Sequence, residues 1–172
     1  MSATLTPQPL TAAAFASFGA VVAARPNSTQ PAPLIINSGN TERFNALAEV
    51  ELSDPDDRAI ISIFRGQPRQ LPLQIELLEK HPLGSQCFYP LSGEPYLVLV
   101  APGGDTPDLD GLQLFLAQPD QGVQYARNTW HHPLLALHKA CDFLVVDRDG
   151  AGANCDEYFI PEADQMAIDL GR

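Results

Sequence analysis

The chain is poor in positive charge. Its 172 residues hold 10 lysines and arginines against 21 aspartates and glutamates, for a net charge of −11 and a pI of about 4.5. Nucleic acid and anionic membranes reward basic surfaces, so neither is expected as a partner. An anionic small substrate remains open, because one arginine in a cleft can dominate its surroundings. Cysteine is scarce too. Cys87, Cys141 and Cys155 are odd in number, widely spaced and without a Cys-x-x-Cys pair. That argues against a disulfide framework or a zinc knuckle and for reduced thiols. No apolar run approaches the roughly 20 residues that span a bilayer. Met1 to Leu5 lacks the basic region and apolar core of a signal peptide, so the expectation is a soluble, cytoplasmic protein. A Gly-rich phosphate loop, a His-Glu-x-x-His and a Gly-x-Ser-x-Gly are missing as well, which removes the common phosphate-binding, zincin and hydrolase-elbow readings.

What is present is turn-rich. Sixteen prolines and 12 glycines sit largely between short apolar runs, which favours strands and tight turns over long helices. Thr11 can cap a short helix over Ala12 to Phe18, with Gly19 as its stop. Strand-like runs follow at Val21–Ala24, Leu34–Ile36, Ala59–Phe64, Leu71–Leu78 and Pro95–Ala101. Further runs lie at Leu112–Ala117, Leu134–Leu137, Phe143–Val146 and Tyr158–Ile160. Turn signals recur about every eight to twelve residues, the rhythm of a sandwich or barrel. The expected architecture is all-β, a jelly-roll or small barrel with one or two minor helices, as one domain over residues 1–172.

Chemistry concentrates in two stretches. Leu71, Leu73, Ile75 and Leu77 share one face of an alternating strand, with Gln74 and Glu76 opposite. If the register continues, Glu79 and His81 inherit the inward face and Lys80 points away; Gln86 follows five residues after His81. The second stretch, Tyr125 to Pro133, supplies Arg127, Trp130, His131 and His132. Neighbours on a strand face opposite ways, so at most one of these two histidines joins the site. Arg65, Arg127 and Arg148 each follow or interrupt an apolar run, which suits a contact to a carboxylate or a pairing with one of the many acids. The polar turn Asn37 to Arg43 has enough donors to fix a backbone or a ligand.

The spacing His81, four residues, Gln86, six residues, Gly93 resembles the first motif of cupin barrels, with Glu79 in the first histidine place and Gln86 in the glutamate place. The run Glu79-Lys80-His81-Pro82-Leu83-Gly84-Ser85-Gln86 resembles the Glu-Arg-His-Pro-Leu-Gly-(Ser/Thr)-Gln signature of bacterial ureidoglycolate lyases. Trp130-His131-His132-Pro133-Leu134, Asp142 to Arg148, Asn154-Cys155-Asp156, Ile36-Asn37-Ser38-Gly39 with Arg43, and Ile61 to Arg65 extend the likeness in the same order. The resemblance implies a cupin-like double-stranded β-helix, a homodimer, and cleavage of (S)-ureidoglycolate to glyoxylate and urea in allantoin breakdown. It also implies a divalent ion, nickel, and no organic cofactor. Carried onto this chain, it makes His81, His131, His132 and Lys80 the catalytic candidates. Arg65, Arg127, Gln86 and Asn37 are the candidates for substrate, a small carboxylate, and Glu79, His81, Gln86 and His131 those for metal. Two positions depart from the pattern: Lys80 stands for arginine, and Ala126 for a histidine the family often has. The alternatives are another metal-dependent cupin enzyme (an isomerase or oxygenase) and a non-catalytic small-molecule-binding cupin.

Overall fold

A computed structural model describes residues 4–25 and 32–171. Its strands, in chain order, begin with β1 (Thr4–Leu5), β2 (Gln8–Pro9), β3 (Gly19–Val22), β4 (Leu34–Ile36), β5 (Thr41–Arg43) and β6 (Arg58–Gly66). Next come β7 (Leu73–Gln74), β8 (Leu77–Lys80), β9 (Gln86–Pro90), β10 (Tyr96–Ala101), β11 (Gln113–Ala117) and β12 (Gly122–Tyr125). The last are β13 (Trp130–His131), β14 (Leu135–Ala136), β15 (Cys141–Asp149), β16 (Asp156–Phe159) and β17 (Ala167–Ile168). The expected N-terminal helix is there but shorter, α1 (Ala12–Phe15), with the Thr11 hydroxyl accepting from the Ala14 amide.

Two large sheets form the body. One runs β16-β8-β13-β10-β11-β2, with β14 also on β10, and the other runs β3-β12-β9-β15-β6. A small sheet, β1-β17-β7, lies beyond the first, and among the described residues β4 and β5 pair only with each other. The chain is therefore all-β, as its turn rhythm implies. Between the large sheets Phe15, Phe88, Tyr96, Val98, Phe115 and Phe143 make one apolar core; outside the first sheet Ile75, Leu78, Leu99, Trp130 and Ile168 make a second. Strand β10 serves both, Tyr96, Val98 and Val100 facing one core and Leu97, Leu99 and Ala101 the other. That is why its sequence is apolar on every residue.

One local condition is strict. Gly19 opens β3 at φ 148°, and a Cβ there would stand 1.8 Å from the Gln124 carbonyl oxygen of the paired strand. Only glycine lets β3 close on β12.

The alternating run Leu71–Leu78 is not one strand. It divides at Ile75-Glu76 into β7 and β8, which belong to different sheets. The Ile75 amide leaves the ladder to donate to Met166 O, and Glu76 O accepts from the Ile160 amide. Across this break the parity flips: Ile75 and Leu78 are both fully buried in the same outer core. Beyond it the alternation is regular. Glu79 and His81 turn to the barrel side, and Lys80 turns to the outer core.

Candidate active site

The site is built where β8 and β13 of one sheet approach β9 and β12 of the other. Glu79 and His131 are direct cross-strand partners of the β8–β13 ladder, and Gln86 and Tyr125 are direct partners on β9–β12. Register thus brings residues some fifty apart in sequence to touching distance. His131 Nε2 lies 3.5 Å from Glu79 Oε1, and His81 Nε2 lies 4.0 Å from the same oxygen. The two imidazoles are 5.2 Å apart. Gln86 Oε1 stands 3.1 Å from His81 Nε2. Tyr125 stacks flat on His131, 4.1 Å between centroids and 9° between planes, which fixes the ring.

The tautomers follow from the partners. His81 Nδ1 is 2.6 Å from Asn154 O, and His131 Nδ1 is 2.8 Å from Thr129 O. A carbonyl can only accept, so each Nδ1 carries its proton and each Nε2 presents a lone pair. Both lone pairs point at a carboxylate, which also only accepts. His131 is 1% exposed and its Nε2 has no hydrogen-bond partner. Such a facing set of acceptors is costly unless a cation, a proton or a metal ion, lies between them. The ligand atoms of Glu79, His81 and His131 all lie within 4.8 Å of one another. Two imidazoles oriented by backbone carbonyls plus one carboxylate are a good donor set for a divalent transition metal. Burial pushes the Glu79 carboxyl up, but the His131 contact and the fields of His131 and His81 outweigh it, and the net direction is down.

Above this cluster opens a cavity of about 530 Å³, lined by Phe64 to Arg69, Glu79, Gln86, Phe88, Pro133 and Leu134. That is room for a small metabolite. His81 itself lines a smaller recess of about 280 Å³, with Gln86, Asp147, Asn154 and Cys155 on its walls; Gln86 is shared with the larger cavity.

Several expected residues converge here and others do not. Glu79, His81, Gln86 and His131 come together. His132 faces away, into a separate recess with Leu73, Glu76 and Leu77; burial holds its pKa down. Lys80 requires a correction: its ammonium lies over the Trp130 ring at 4.7 Å and donates to Gly104 O at 2.8 Å, on the opposite face of β8 from Glu79. Arg65 lines the cavity rim while paired with Asp142 through Nε and Nη2 at 2.6 and 2.8 Å. Arg127 turns its guanidinium to Pro82 O and is not on the cavity wall. Arg148 pairs with Asp57 under the loop before β6 and serves the fold. Asn37 sits in the exposed turn between β4 and β5, outside both cavities.

Sequence reasoning passed over Tyr125, Thr129, Asn154, Cys155 and Arg69. Asn154 orients His81 through its carbonyl and holds the Leu83 amide through Oδ1 at 2.7 Å. Cys155 Sγ is 3.8 Å from Glu79 Oε2. Arg69 is on the cavity wall and has no ion pair among the described residues. Only the family-like run Asn154-Cys155-Asp156 offered a signal for any of them. Ala126 lines neither cavity, so the four convergent side chains assemble without the histidine missing there.

An all-β double-sheet barrel with two carbonyl-oriented imidazoles, a carboxylate and an amide under a small cavity defines a cupin-like small-molecule enzyme. The family model for ureidoglycolate lyase matches residues 2–168. A ureidoglycolate lyase of Azotobacter vinelandii is 50% identical over 161 residues, 94% of this chain and 95% of its own length. Those of Pseudomonas paraeruginosa and Pseudomonas syringae pv. tomato are each 49% identical over 166 residues, 96% of this chain and at least 95% of theirs. The chain belongs to the ureidoglycolate lyase family.

Proposed function

We propose that the chain cleaves (S)-ureidoglycolate to glyoxylate and urea as a cytoplasmic homodimer, in the breakdown of allantoin. The observation that carries the chemistry is the pair of Nε2 lone pairs converging on Glu79 beneath the cavity. The reaction is a retro-addition. The carbinolamine hydroxyl loses its proton as the C=O bond forms, the C–N bond breaks, and the urea nitrogen takes up a proton. The net change is one proton moved from oxygen to nitrogen, so one well-placed base that becomes an acid suffices.

His81 suits that role. Its Nδ1–H is held by Asn154 O, its Nε2 carries the lone pair, and its side chain is more open than that of His131. Gln86, 3.1 Å away, offers an amide to the ureido group. Arg65 keeps unshared N–H groups beyond its contact with Asp142 and stands on the rim with Arg69, a setting for the substrate carboxylate. Alternatively Glu79, His81 and His131 would hold a divalent ion, nickel in this reading, with Gln86 at its edge; His81 Nε2 is then a ligand and not the base, and the ion would supply Lewis-acid polarisation that lowers the proton affinity of the substrate hydroxyl.

The test is release of urea and glyoxylate from each ureidoglycolate enantiomer, with and without chelator, corrected for spontaneous decay. Enantioselective release, lost in His81→Ala with the fold retained, is the expected result. Product no faster than background from purified, metal-supplemented protein overturns the reading.

A further inference from the structure

The turn that carries Asn37 belongs to an arm with nothing beneath it. Among the described residues β4 and β5 pair with each other and with no other strand. Their apolar residues face water: Leu34, Ile35 and Ile36 are 52, 61 and 36% exposed. A lone two-stranded hairpin is marginal in water, and an uncovered apolar strip calls for a partner. The tip is held in a demanding conformation. Asn37, Ser38 and Gly39 have φ of 50, 57 and 91°, and the Asn37 amide donates to Thr41 Oγ1 at 3.2 Å. Successive left-handed residues persist where their geometry is used.

A matching vacancy lies on the body. Among the described residues β6 pairs only with β15, so the alternate N–H and C=O groups along the other edge of this nine-residue strand are unpaired. It also exposes Ile60, Ile61, Ile63 and Phe64. Its last residues, Phe64, Arg65 and Gly66, form part of the cavity wall, so whatever covers this edge also sits over the cavity. Arg58 and Arg65 on this edge are paired within their own chain, with Asp149 and Asp142, so what it offers the arm is open backbone and apolar side chains. Arm and edge are on the same chain, so two copies about a twofold axis satisfy both surfaces twice and close the assembly.

We propose that the active site is completed in trans: the β4–β5 arm of one subunit lies along β6 of a second copy and brings Asn37 and Asn40 over that copy's cavity, above Glu79 and Gln86. The occupant is a second copy because the arm lines neither cavity of its own chain and because edge and arm complement each other. The inference rests on the ureidoglycolate reading for its chemistry and deepens it, since the tip amides then face the ureido end of the substrate.

The experiment is subunit complementation. His81→Ala and Asn37→Ala/Asn40→Ala chains are co-expressed with different tags, and the heterodimer is purified. Each parent should fall at least tenfold in kcat/KM. The heterodimer then contains one intact His81 site covered by one intact arm, and about half of the wild-type rate returns. A heterodimer as weak as its parents, a monomeric wild type, or an arm variant with undiminished activity overturns the proposal. A second measurement separates this from the reaction assignment. A photo-crosslinking residue at Ser38, in mixtures of isotopically light and heavy subunits, should link to residues 58–69 of the other chain whether or not ureidoglycolate is the substrate. Links confined within one chain overturn the arm. A wild type that crosslinks between chains but releases no glyoxylate overturns only the substrate.

Discussion

Glu79→Gln separates a metal centre from a histidine–carboxylate pair. In metal-stripped protein at pH 8, where free imidazole is neutral, the native site sets two lone pairs against a carboxylate at 3.5 and 4.0 Å. An amide at residue 79 adds two N–H donors facing those lone pairs. One good hydrogen bond in place of an acceptor–acceptor contact contributes about 1 kcal/mol. In a chain of this size that raises Tm by about 2–4 °C. The depressed Glu79 carboxyl acts in the opposite sense: its contribution is present above the ordinary carboxylate range, is lost as pH falls through the folded value, and is given up by Glu79→Gln. With divalent ion the order reverses. At a hundredfold excess over Kd, binding adds about 2.7 kcal/mol, or about 5–10 °C in Tm, to the native protein and little to Glu79→Gln. Calorimetry of both proteins, stripped and loaded with nickel, zinc or manganese, reads all four states. A stripped Glu79→Gln that melts below the native protein at pH 8, yet is stabilised equally by the ion, would refute the reasoning about the lone pairs.

The other outcomes are more local. His81→Ala should lower kcat/KM by about 10²–10⁴, with circular dichroism unchanged, whereas His132→Gln should leave turnover per folded molecule intact, because His132 faces a separate recess; steady-state kinetics on both variants decides. Gly19→Ala forces a Cβ towards Gln124 O at an unfavourable φ and should cost about 2–4 kcal/mol in urea unfolding; a wild-type midpoint would refute the pairing of β3 with β12. The hydrogen bond from Arg148 holds the Asp57 carboxyl down at about 2, below its ordinary 3.8. A depressed carboxylate contributes fully above its unfolded value and loses that contribution as pH falls through the folded one. The stability gap between native protein and Asp57→Asn should therefore be steady near neutrality and narrow between pH 3.8 and about 2; a gap constant to pH 2 would contradict this.

The all-β class was legible because turns and short apolar runs are local features. The doubly buried β10 was legible for the same reason: every residue from Tyr96 to Ala101 is apolar. The break at Ile75-Glu76 was not, since the groups that draw those backbone atoms off the ladder, Met166 O and the Ile160 amide, lie more than eighty residues further on. Alternation resumed beyond the break with its parity reversed, so Glu79 and His81 face together, as expected, but on the side opposite Ile75 and Lys80. Period-two reasoning also held that His131 and His132 cannot both join the site, but it could not choose between them. The choice is made by register, His131 standing opposite Glu79 on β8. The arginines were the least legible. Which of Arg65, Arg69, Arg127 and Arg148 is engaged depends on partners that only the folded chain assembles.

Ala126 reads differently in three dimensions than in sequence. Ala126 replaces a histidine that the family often carries, which in sequence favours a carboxylate pocket over a metal centre. Yet residue 126 lines neither cavity, while Glu79, His81 and His131 converge without it. The stronger indicator is the pair of carbonyls, Asn154 O and Thr129 O, that fix both Nδ1 protons and so turn both Nε2 lone pairs on one carboxylate. A hydrogen-bonding pocket for an anion would present donors at that point. This one presents acceptors, and puts its guanidinium groups, Arg65 and Arg69, at the rim instead. Acceptors at the floor and guanidinium groups at the rim divide the site into a cation-seeking end and an anion-seeking end.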